Sequence, residues 1–349
     1  PEAIPRSGDA AFAFSLVRGD LLFRFQRRIG LIPAEGLGIA RRLLFWSLLA
    51  WLPIALWAEL SGRALPSGAG EPLLAHFGVH VRFLIAVPLF LIAEGVTHAV
   101  TTQLLPHFVR SGVVPEAELP RLREALTRLA GLRNSSLPWI GILALVVSIA
   151  TLSGVLRASH EIEWAVDIIR SPGPEPELRQ LGFGAWWFLF VGRPIFLTLL
   201  LGWLWRTLLL AGLFRAIGKL DLAIVPTHPD GAGGLGFLER LPPSFAPVVL
   251  AISAVVASNW AHGVVYHGVA VESLRLQMGA VVVVLLVIFL SPMLMFGGVL
   301  RRAKRKALLD YGILVGRHGR LVHRRWIEGR PLSDDAVLNA PELGPVADT

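Results

Sequence analysis

The sequence predicts an all-α membrane protein whose chain crosses the bilayer several times. Of its 349 residues, 54% are hydrophobic and 17% are charged, and the mean hydropathy is +0.61. A soluble domain of this size would carry about 25% charged residues. Several apolar runs also approach the roughly 20 residues that a transmembrane helix needs. Composition and run length therefore both indicate a polytopic helical protein.

Six apolar runs are candidates for the transmembrane helices. We predict them at Leu43–Leu60, Val81–Leu105, Leu137–Leu156, Ala185–Phe214, Phe245–Val265 and Met278–Leu300. The six-helix domain would then cover residues 43–300, between an N-terminal segment of residues 1–42 and a basic tail of residues 301–349.

Peripheral amphipathic helices are predicted outside the spans. Near the N-terminus, Leu21, Phe25 and Ile29 fall on one helical face and arginines fall elsewhere, which is typical of a basic helix in the membrane interface. A helix packed on the protein's own surface fits the same pattern. Leucines at helical spacing predict a second such helix in residues 115–133, and a third is predicted near Ala303–Val315.

Two other segments outside the spans have weaker patterns. Residues 1–19 have a mixed composition and are expected to be loosely ordered. The run HEIEWAVDIIR, residues 160–170, predicts a short helix that ends at the proline-rich residues 171–177.

The distribution of cations predicts the orientation of the chain. Arginines and lysines are concentrated before the first predicted span, between the second and third spans, and after the sixth. The other loops are poorer in cations, and residues 157–184 balance three arginines with five acids. The positive-inside rule then places both termini in the cytoplasm. We expect a multi-pass protein of a cell membrane, in particular a bacterial inner membrane.

Composition and motifs also exclude several classes of function. The chain has no cysteine, so disulfides, thiolate catalysis and cysteine-based metal sites are excluded. The net charge of +8 arises beside the apolar spans, which indicates anionic lipid headgroups rather than nucleic acid as partners. No P-loop, G-x-S-x-G, H-E-x-x-H or EF-hand motif occurs. We therefore predict no cofactor, no metal and no enzymatic activity.

The second predicted span contains two ionisable residues. Glu94 and His98 are four residues apart and share one helical face. Glu94 lies near mid-membrane if the span begins at Val81. Ionisable residues at that depth usually face protein or water and often mark a transport pathway. Arg193, in the fourth span, is the predicted partner of Glu94, either in a structural ion pair or in a proton or ion site.

The fifth predicted span contains Asn259 and His262 on one face, among small residues. Small residues allow close helix approach, and polar side chains then bond across the interface. We interpret Asn259 as a packing residue and leave the role of His262 open. A metal site at His98, His262 and Glu94 would require the two spans to meet at one depth, and scattered histidines do not indicate one.

The most distinctive hydrophilic stretch is THPDGAGGLGFL, residues 227–238. It contains G-x-G-x-x-G, but the dinucleotide fold also requires a preceding strand, a following helix and an acid about 20 residues later, none of which fits here. Its backbone N–H groups could bind an anion, although a tightly turned cytoplasmic loop is the favoured interpretation. The candidate residues of this loop are His228, Asp230, Gly231, Gly233, Gly234 and Gly236.

The tail begins with a cluster of cations directly after the sixth predicted span. Such a cluster attracts anionic lipid headgroups, at about 1 kcal/mol per cation near the surface. Alternatively, the cluster serves only to fix the orientation of the chain in the membrane. The predicted lipid-binding residues are Arg301, Arg302, Lys304, Arg305 and Lys306.

Three functional hypotheses follow. The first is a homo-oligomeric channel or transporter for a small ion or solute, with anions or protons favoured because cations outnumber acids within the spans. The second is a membrane scaffold or accessory subunit that binds a protein partner through its cytoplasmic loops and tail. The third is an intramembrane enzyme acting on lipid through His228 and Asp230, which ranks last because the chain has no nucleophile motif.

Overall fold

The computed structural model describes residues 12, 14–65, 72–156, 160–169 and 178–330. Within these residues, six helical segments are long and apolar enough to cross a membrane. They extend over Ile39–Leu60, Phe77–Arg110, Glu116–Leu152, Phe183–Ile217, Gly236–His267 and Val271–Leu294. The predicted fold class is therefore confirmed: the chain is a polytopic α-helical membrane protein with six spans and peripheral amphipathic helices.

Short helices and turns connect and flank the long ones. The α-helices are α1 (Leu21–Arg28), α2 (Ile39–Leu60), α3 (Phe77–His80), α4 (Val87–Arg110), α5 (Leu119–Asn134), α6 (Leu137–Leu156), α7 (Phe183–Trp187), α8 (Arg193–Ile217), α9 (Leu241–Ser244), α10 (Ala246–His267), α11 (Arg275–Leu294) and α12 (Gly297–Trp326). The remaining helical turns are 3₁₀ segments at Leu73–Ala75, Glu116–Glu118, His160–Ala165, Gly236–Arg240 and Val271–Leu274 and π segments at Val81–Ala86 and Phe188–Gly192. Strands β1 (Val166–Ile169) and β2 (Leu178–Leu181) pair antiparallel, with Val166 opposite Leu181.

Helices α4 and α8 form the centre of the bundle. In each of their spans, 44% of the most apolar stretch is buried, against 17% for the spans that contain α6 and α11. Helix α4 packs against α2 and α10, while α8 packs against α5, α6 and α11. Aromatic side chains fill the space between them, and those of Phe83, Phe90, Phe188, Trp203 and Phe214 are fully buried.

Both central spans contain a π-helical segment before a proline. Val81–Ala86 precedes Pro88, and Phe188–Gly192 precedes Pro194. Proline lacks the N–H that would bond the carbonyl four residues earlier, and its ring crowds that carbonyl. The wider π turn accommodates this defect, which is a recognised way for a helix to absorb an insertion. The two segments pack together, with the Phe83 and Phe188 ring centroids 5.8 Å apart.

The structure corrects several predicted boundaries. The sixth apolar helix ends at Leu294, and Leu300 belongs to α12, which extends well beyond the predicted Ala303–Val315. The run of residues 160–169 is not one helix but a 3₁₀ segment followed by β1. The predicted loose order fails for the described residues 14–19, because Leu16 and Val17 are fully buried. Residues 1–11, 13 and 331–349 lie outside the described part of the chain.

The two ends of the bundle are formed by different elements. At the α1 end lie α1, the start of α2 and the start of α10. At the hairpin end lie β1, β2, the 3₁₀ turn Leu73–Ala75 and the C-terminus of α10.

Candidate functional site

A buried carboxylate, Glu94, joins two arginines from different spans. Its Oε1 accepts a hydrogen bond from Arg206 Nη1 at 2.7 Å, and its Oε2 accepts one from Arg42 Nη2. The side chain of Glu94 is 0% exposed and those of Arg42 and Arg206 are 1% and 2% exposed. Charges this deeply buried persist in proteins only when they are paired and hydrogen-bonded, and here α2, α4 and α8 each supply one.

The N-terminal segment completes this network. Arg206 Nη2 and Nε donate to Asp20 Oδ2 at 2.7 and 3.2 Å, and Arg42 Nε donates to Gln26 Oε1. Two carboxylates therefore face two guanidinium groups, and their formal charges cancel. We call Asp20, Gln26, Arg42, Glu94 and Arg206 the buried network.

Local sequence explains how two of these side chains are presented. Asp20 is the N-cap of α1, and its Oδ1 accepts the Phe23 N–H at 2.6 Å, which is the standard role of aspartate at that position. Arg206 lies one turn after Trp203 on α8, and its guanidinium lies 5.4 Å from the indole ring centroid. The cap leaves Oδ2 of Asp20 available for Arg206.

The segment before α2 covers the network and is held by α5. Phe12 and Phe14 are buried, and their rings lie 5.2 and 5.0 Å from the guanidinium groups of Arg123 and Arg133. Arg133 also donates to the backbone carbonyl of Ser15. We call residues 14–37 the N-terminal seal, because they close the α1 end of the bundle over the buried network.

The network lies near the α1 end of α2 and of α10. Thr97, one turn beyond Glu94, donates to the carbonyl of Ser244, the last residue of α9 and two residues before α10. Arg42 lies in the first turn of α2. The second span runs from Phe77 to Arg110, which is about 50 Å at 1.5 Å per residue and exceeds the ~30 Å hydrocarbon core. Glu94 lies midway along this helical segment, and its mid-membrane depth stays a prediction.

The predicted pairing of Glu94 with Arg193 is wrong. Both oxygens of Glu94 bind Arg42 and Arg206 instead. Arg193 follows Gly192, whose backbone touches the ring of Phe83 so closely that an added Cβ would lie 2.6 Å from it. Phe83 is about 16 Å along the helix from Glu94, toward the hairpin end. Arg193 therefore sits in the π-helical layer of the bundle, away from the buried network.

The other predicted residues separate into two groups. His98 Nδ1 lies 2.8 Å from Ser15 Oγ, so this histidine contacts the N-terminal seal. At the hairpin end, His262 Nδ1 lies 3.1 Å from the Ala75 carbonyl, and its ring stacks on His76 with centroids 4.9 Å apart. Asn259 packs against Gly78, where an added Cβ would lie 2.7 Å from Asn259 Oδ1. His98 and His262 do not share a depth, so they cannot ligate one metal, and no cluster of potential metal ligands occurs among the described residues.

Sequence reasoning missed Arg206, Asp20 and Gln26, and it treated Arg42 only as a topological signal. One signal in the sequence was available for Arg206. Arg206 is the single charged residue in the apolar run of residues 194–214. Because a charge in such a run requires a partner within the bundle, a buried partner could have been expected. Nothing in the sequence indicates that this partner includes Asp20, which lies 186 residues earlier.

The glycine-rich loop is organised around Asp230. Its carboxylate accepts hydrogen bonds from the backbone N–H groups of Ala232, Gly234 and Gly236 at 2.7–3.1 Å, and His228 Nδ1 lies 2.9 Å from its Oδ1. Partial burial opposes ionisation, but the backbone hydrogen bonds and the His228 contact outweigh it and hold the pKa of Asp230 well below its usual range. These N–H groups are already bound, which favours the tightly turned loop over an anion site.

Gly231, Gly233 and Gly234 all have positive φ angles, which explains the glycines of this loop without a ligand. The predicted lipid-binding cations lie on α12, and Arg301, Arg302, Lys304, Arg305 and Lys306 are all exposed. Comparison with protein-family models, curated proteins and solved structures finds no significant match to this chain.

Proposed function

We propose that the chain is a channel or transporter for a small anion, in which the N-terminal seal and the buried network form a closed gate. The observation that supports this most is the pairing of Asp20, on the seal, with Arg206, on a central span. Ionic groups buried in a membrane bundle are costly and usually serve a pathway. Six apolar helices are compatible with a transporter or channel.

Charge balance is the reason for favouring an anion. The closed network contains two carboxylates and two guanidinium groups. Displacement of the seal removes Asp20 and leaves Glu94 shared between Arg42 and Arg206, with one positive charge in excess. A low-dielectric site with an excess guanidinium group attracts an anion. Proton transport, the other sequence-based expectation, would instead require Glu94 to exchange a proton while two guanidinium groups bind it.

Chloride efflux from proteoliposomes tests this proposal. Asp20→Asn removes one negative charge but keeps a good N-cap for α1, so we expect chloride efflux several-fold above that of the wild type. Asp221→Asn, at an exposed position, is the matched control and should not change the rate. Equal efflux from the wild type and a folded Asp20→Asn protein would contradict the proposed gate.

A second candidate function is a scaffold or accessory subunit. Helix α12 extends over 30 residues with no buried side chain, and Leu308, Leu309 and Ile313 are 66–69% exposed. A partner protein could cover this apolar face, although a helix of this kind can also lie in the membrane interface. If the protein is purified without its partner and chloride efflux from proteoliposomes is unchanged, partner binding is a role separate from transport.

The remaining expectations form part of the same proposal. Both termini lie in the cytoplasm of a bacterial cell, the protein forms a homo-oligomer, and it performs no catalytic step. Labelling of single cysteines from each side of the membrane tests the orientation, because the chain has no cysteine of its own.

A further inference from the structure

A cavity of about 1100 Å³ opens on the side of the bundle between α1, α2, α6 and α8. Its walls are mostly apolar and include Trp46, Trp139 and Leu143. Most of its polar lining residues lie toward the α1 end, including Gln26, Asn134 and Ser135, while Thr198 lines it on α8. We call this cavity the lateral groove.

The length of the lateral groove matches one leaflet of a bilayer. Along the fourth span its lining runs from Leu199 on α8 to Phe190 in the π segment, which is about 13 Å at 1.5 Å per residue. Along the third span it runs from Ser135, just before α6, to Leu143 on α6, about 12 Å. Half of a ~30 Å hydrocarbon core is about 15 Å. The groove therefore accommodates acyl chain from one leaflet, with its polar end at the interface.

The polar end of the groove is positively charged. Arg24 and Arg28 line it, and none of its described lining residues is acidic. Arg24 donates from Nη2 to the Asn134 carbonyl at 2.8 Å, so its other N–H groups can donate to a ligand. Arg28 is exposed. An apolar slot that ends in two arginines is complementary to an amphiphile with an anionic headgroup.

We propose that the lateral groove binds an anionic phospholipid, with an acyl chain along α6 and α8 and its phosphate at Arg24 and Arg28. This site is separate from the exposed cations of α12 and does not depend on the transport proposal. Gln26 lines the groove and also accepts the hydrogen bond from Arg42 in the buried network. Bound lipid would therefore hold α1, and with it the N-terminal seal, against the bundle.

Protection of an introduced thiol tests the site in the intact chain. Thr198 lines the groove on α8, and Thr198→Cys supplies the only thiol. We expect phosphatidylglycerol vesicles or mixed micelles to slow labelling of this thiol about 25-fold more than phosphatidylcholine with the same acyl chains, from roughly 1 kcal/mol for each of the two arginines. Inorganic phosphate and glycerol phosphate should give no protection, because they lack the acyl chain. Equal protection by the two lipids, or protection by inorganic phosphate, would overturn the proposal.

Charge variants in the Thr198→Cys background locate the headgroup. Arg28→Gln should weaken protection by phosphatidylglycerol about fivefold, and Arg24→Gln combined with Arg28→Gln about 25-fold, from roughly 1 kcal/mol per cation. Arg27→Gln is the matched control, because Arg27 is an exposed arginine of the same helix that does not line the groove. It should leave protection unchanged. An equal loss in Arg27→Gln and Arg28→Gln would show diffuse attraction to the surface and would overturn the assigned site.

Discussion

Glu94 and Asp230 are two carboxylates whose oxygens both accept hydrogen bonds, but the partners that stabilise them differ. Glu94 is fully buried and binds the guanidinium groups of Arg42 and Arg206, which are 52 and 112 residues distant in the chain. Asp230 lies in an exposed loop and binds backbone N–H groups no more than six residues away. The first carboxylate joins separate spans to the N-terminal seal, whereas the second only fixes the shape of its own loop. This difference separates a candidate functional network from a structural loop.

The largest expected effect comes from removal of the central guanidinium group. Arg206→Ala leaves Glu94 with one partner and Asp20 with none of its arginine contacts in a buried site. Loss of one member of a buried ion pair costs about 3–5 kcal/mol, so the thermal unfolding midpoint in detergent should fall strongly. Arg215→Ala, at an exposed position on the same helix, should change stability by no more than about 0.5 kcal/mol. Equal unfolding midpoints for the two variants would show that the buried network does not stabilise the fold.

A smaller effect is expected from a glycine of the Asp230 loop. Gly233 has φ of 68°, and an added Cβ would collide with Ile224. Gly233→Ala should destabilise the protein by about 2–4 kcal/mol, from left-handed strain plus overpacking. Gly231 has φ of 63° and open space around it, so Gly231→Ala should cost only the strain, about 1–2 kcal/mol. Chemical denaturation compares the two, and an equal cost would show that the Ile224 contact is not rigid.

Loss of the Asp230 carboxylate should loosen its loop without unfolding the bundle. Asp230→Ala removes the acceptor of three backbone N–H groups, which costs about 1–2 kcal/mol. Hydrogen exchange at Ala232, Gly234 and Gly236 should accelerate by about tenfold, while exchange in α4 and α8 stays unchanged. Faster exchange throughout the spans would mean that this loop stabilises more than itself.

The pH dependence of the same loop has a defined sign. The folded pKa of Asp230 is lowered, so its contribution is fully present above the unfolded pKa of about 4. It is lost as the pH falls below that value toward the folded pKa. Protection of the loop amides in the wild type should therefore decrease between about pH 4 and pH 2, with no such change in Asp230→Asn. A pH-independent wild type would contradict the ionised state of Asp230.

The smallest effect is expected at a surface ion pair with the same N–O distance as the buried one. Arg128 Nη2 lies 2.7 Å from Glu124 Oε1, the distance that also separates Arg206 and Glu94, but its side chain is 73% exposed. Solvent screening limits such an i, i+4 pair to about 0.3–0.5 kcal/mol. Arg128→Ala should hardly move the unfolding midpoint. A shift as large as that of Arg206→Ala would mean that burial does not distinguish the two pairs.

The same contrast explains what the sequence could predict. The six spans, α1, α5 and the turned glycine loop depend on local hydropathy, helical periodicity and turn chemistry, and the sequence predicts all of them. The π segments and the early end of α11 shift individual helix boundaries. The sequence did not predict these shifts, because hydropathy does not detect the backbone defects that cause them. Asp20 and Gln26 could not be predicted as partners of Arg206 and Arg42, because tertiary packing alone brings the N-terminal seal to α2 and α8.

If the N-terminal seal forms the proposed gate, it must move for an anion to cross. Ser15 and His98 join the seal to the second span across 2.8 Å, and the absence of native cysteine allows a specific crosslink between Ser15→Cys and His98→Cys. After a short thiol crosslinker has reacted fully, chloride efflux from proteoliposomes should fall to the background of empty vesicles and recover when the crosslink is cleaved. Unchanged efflux with the crosslink complete would contradict the claim.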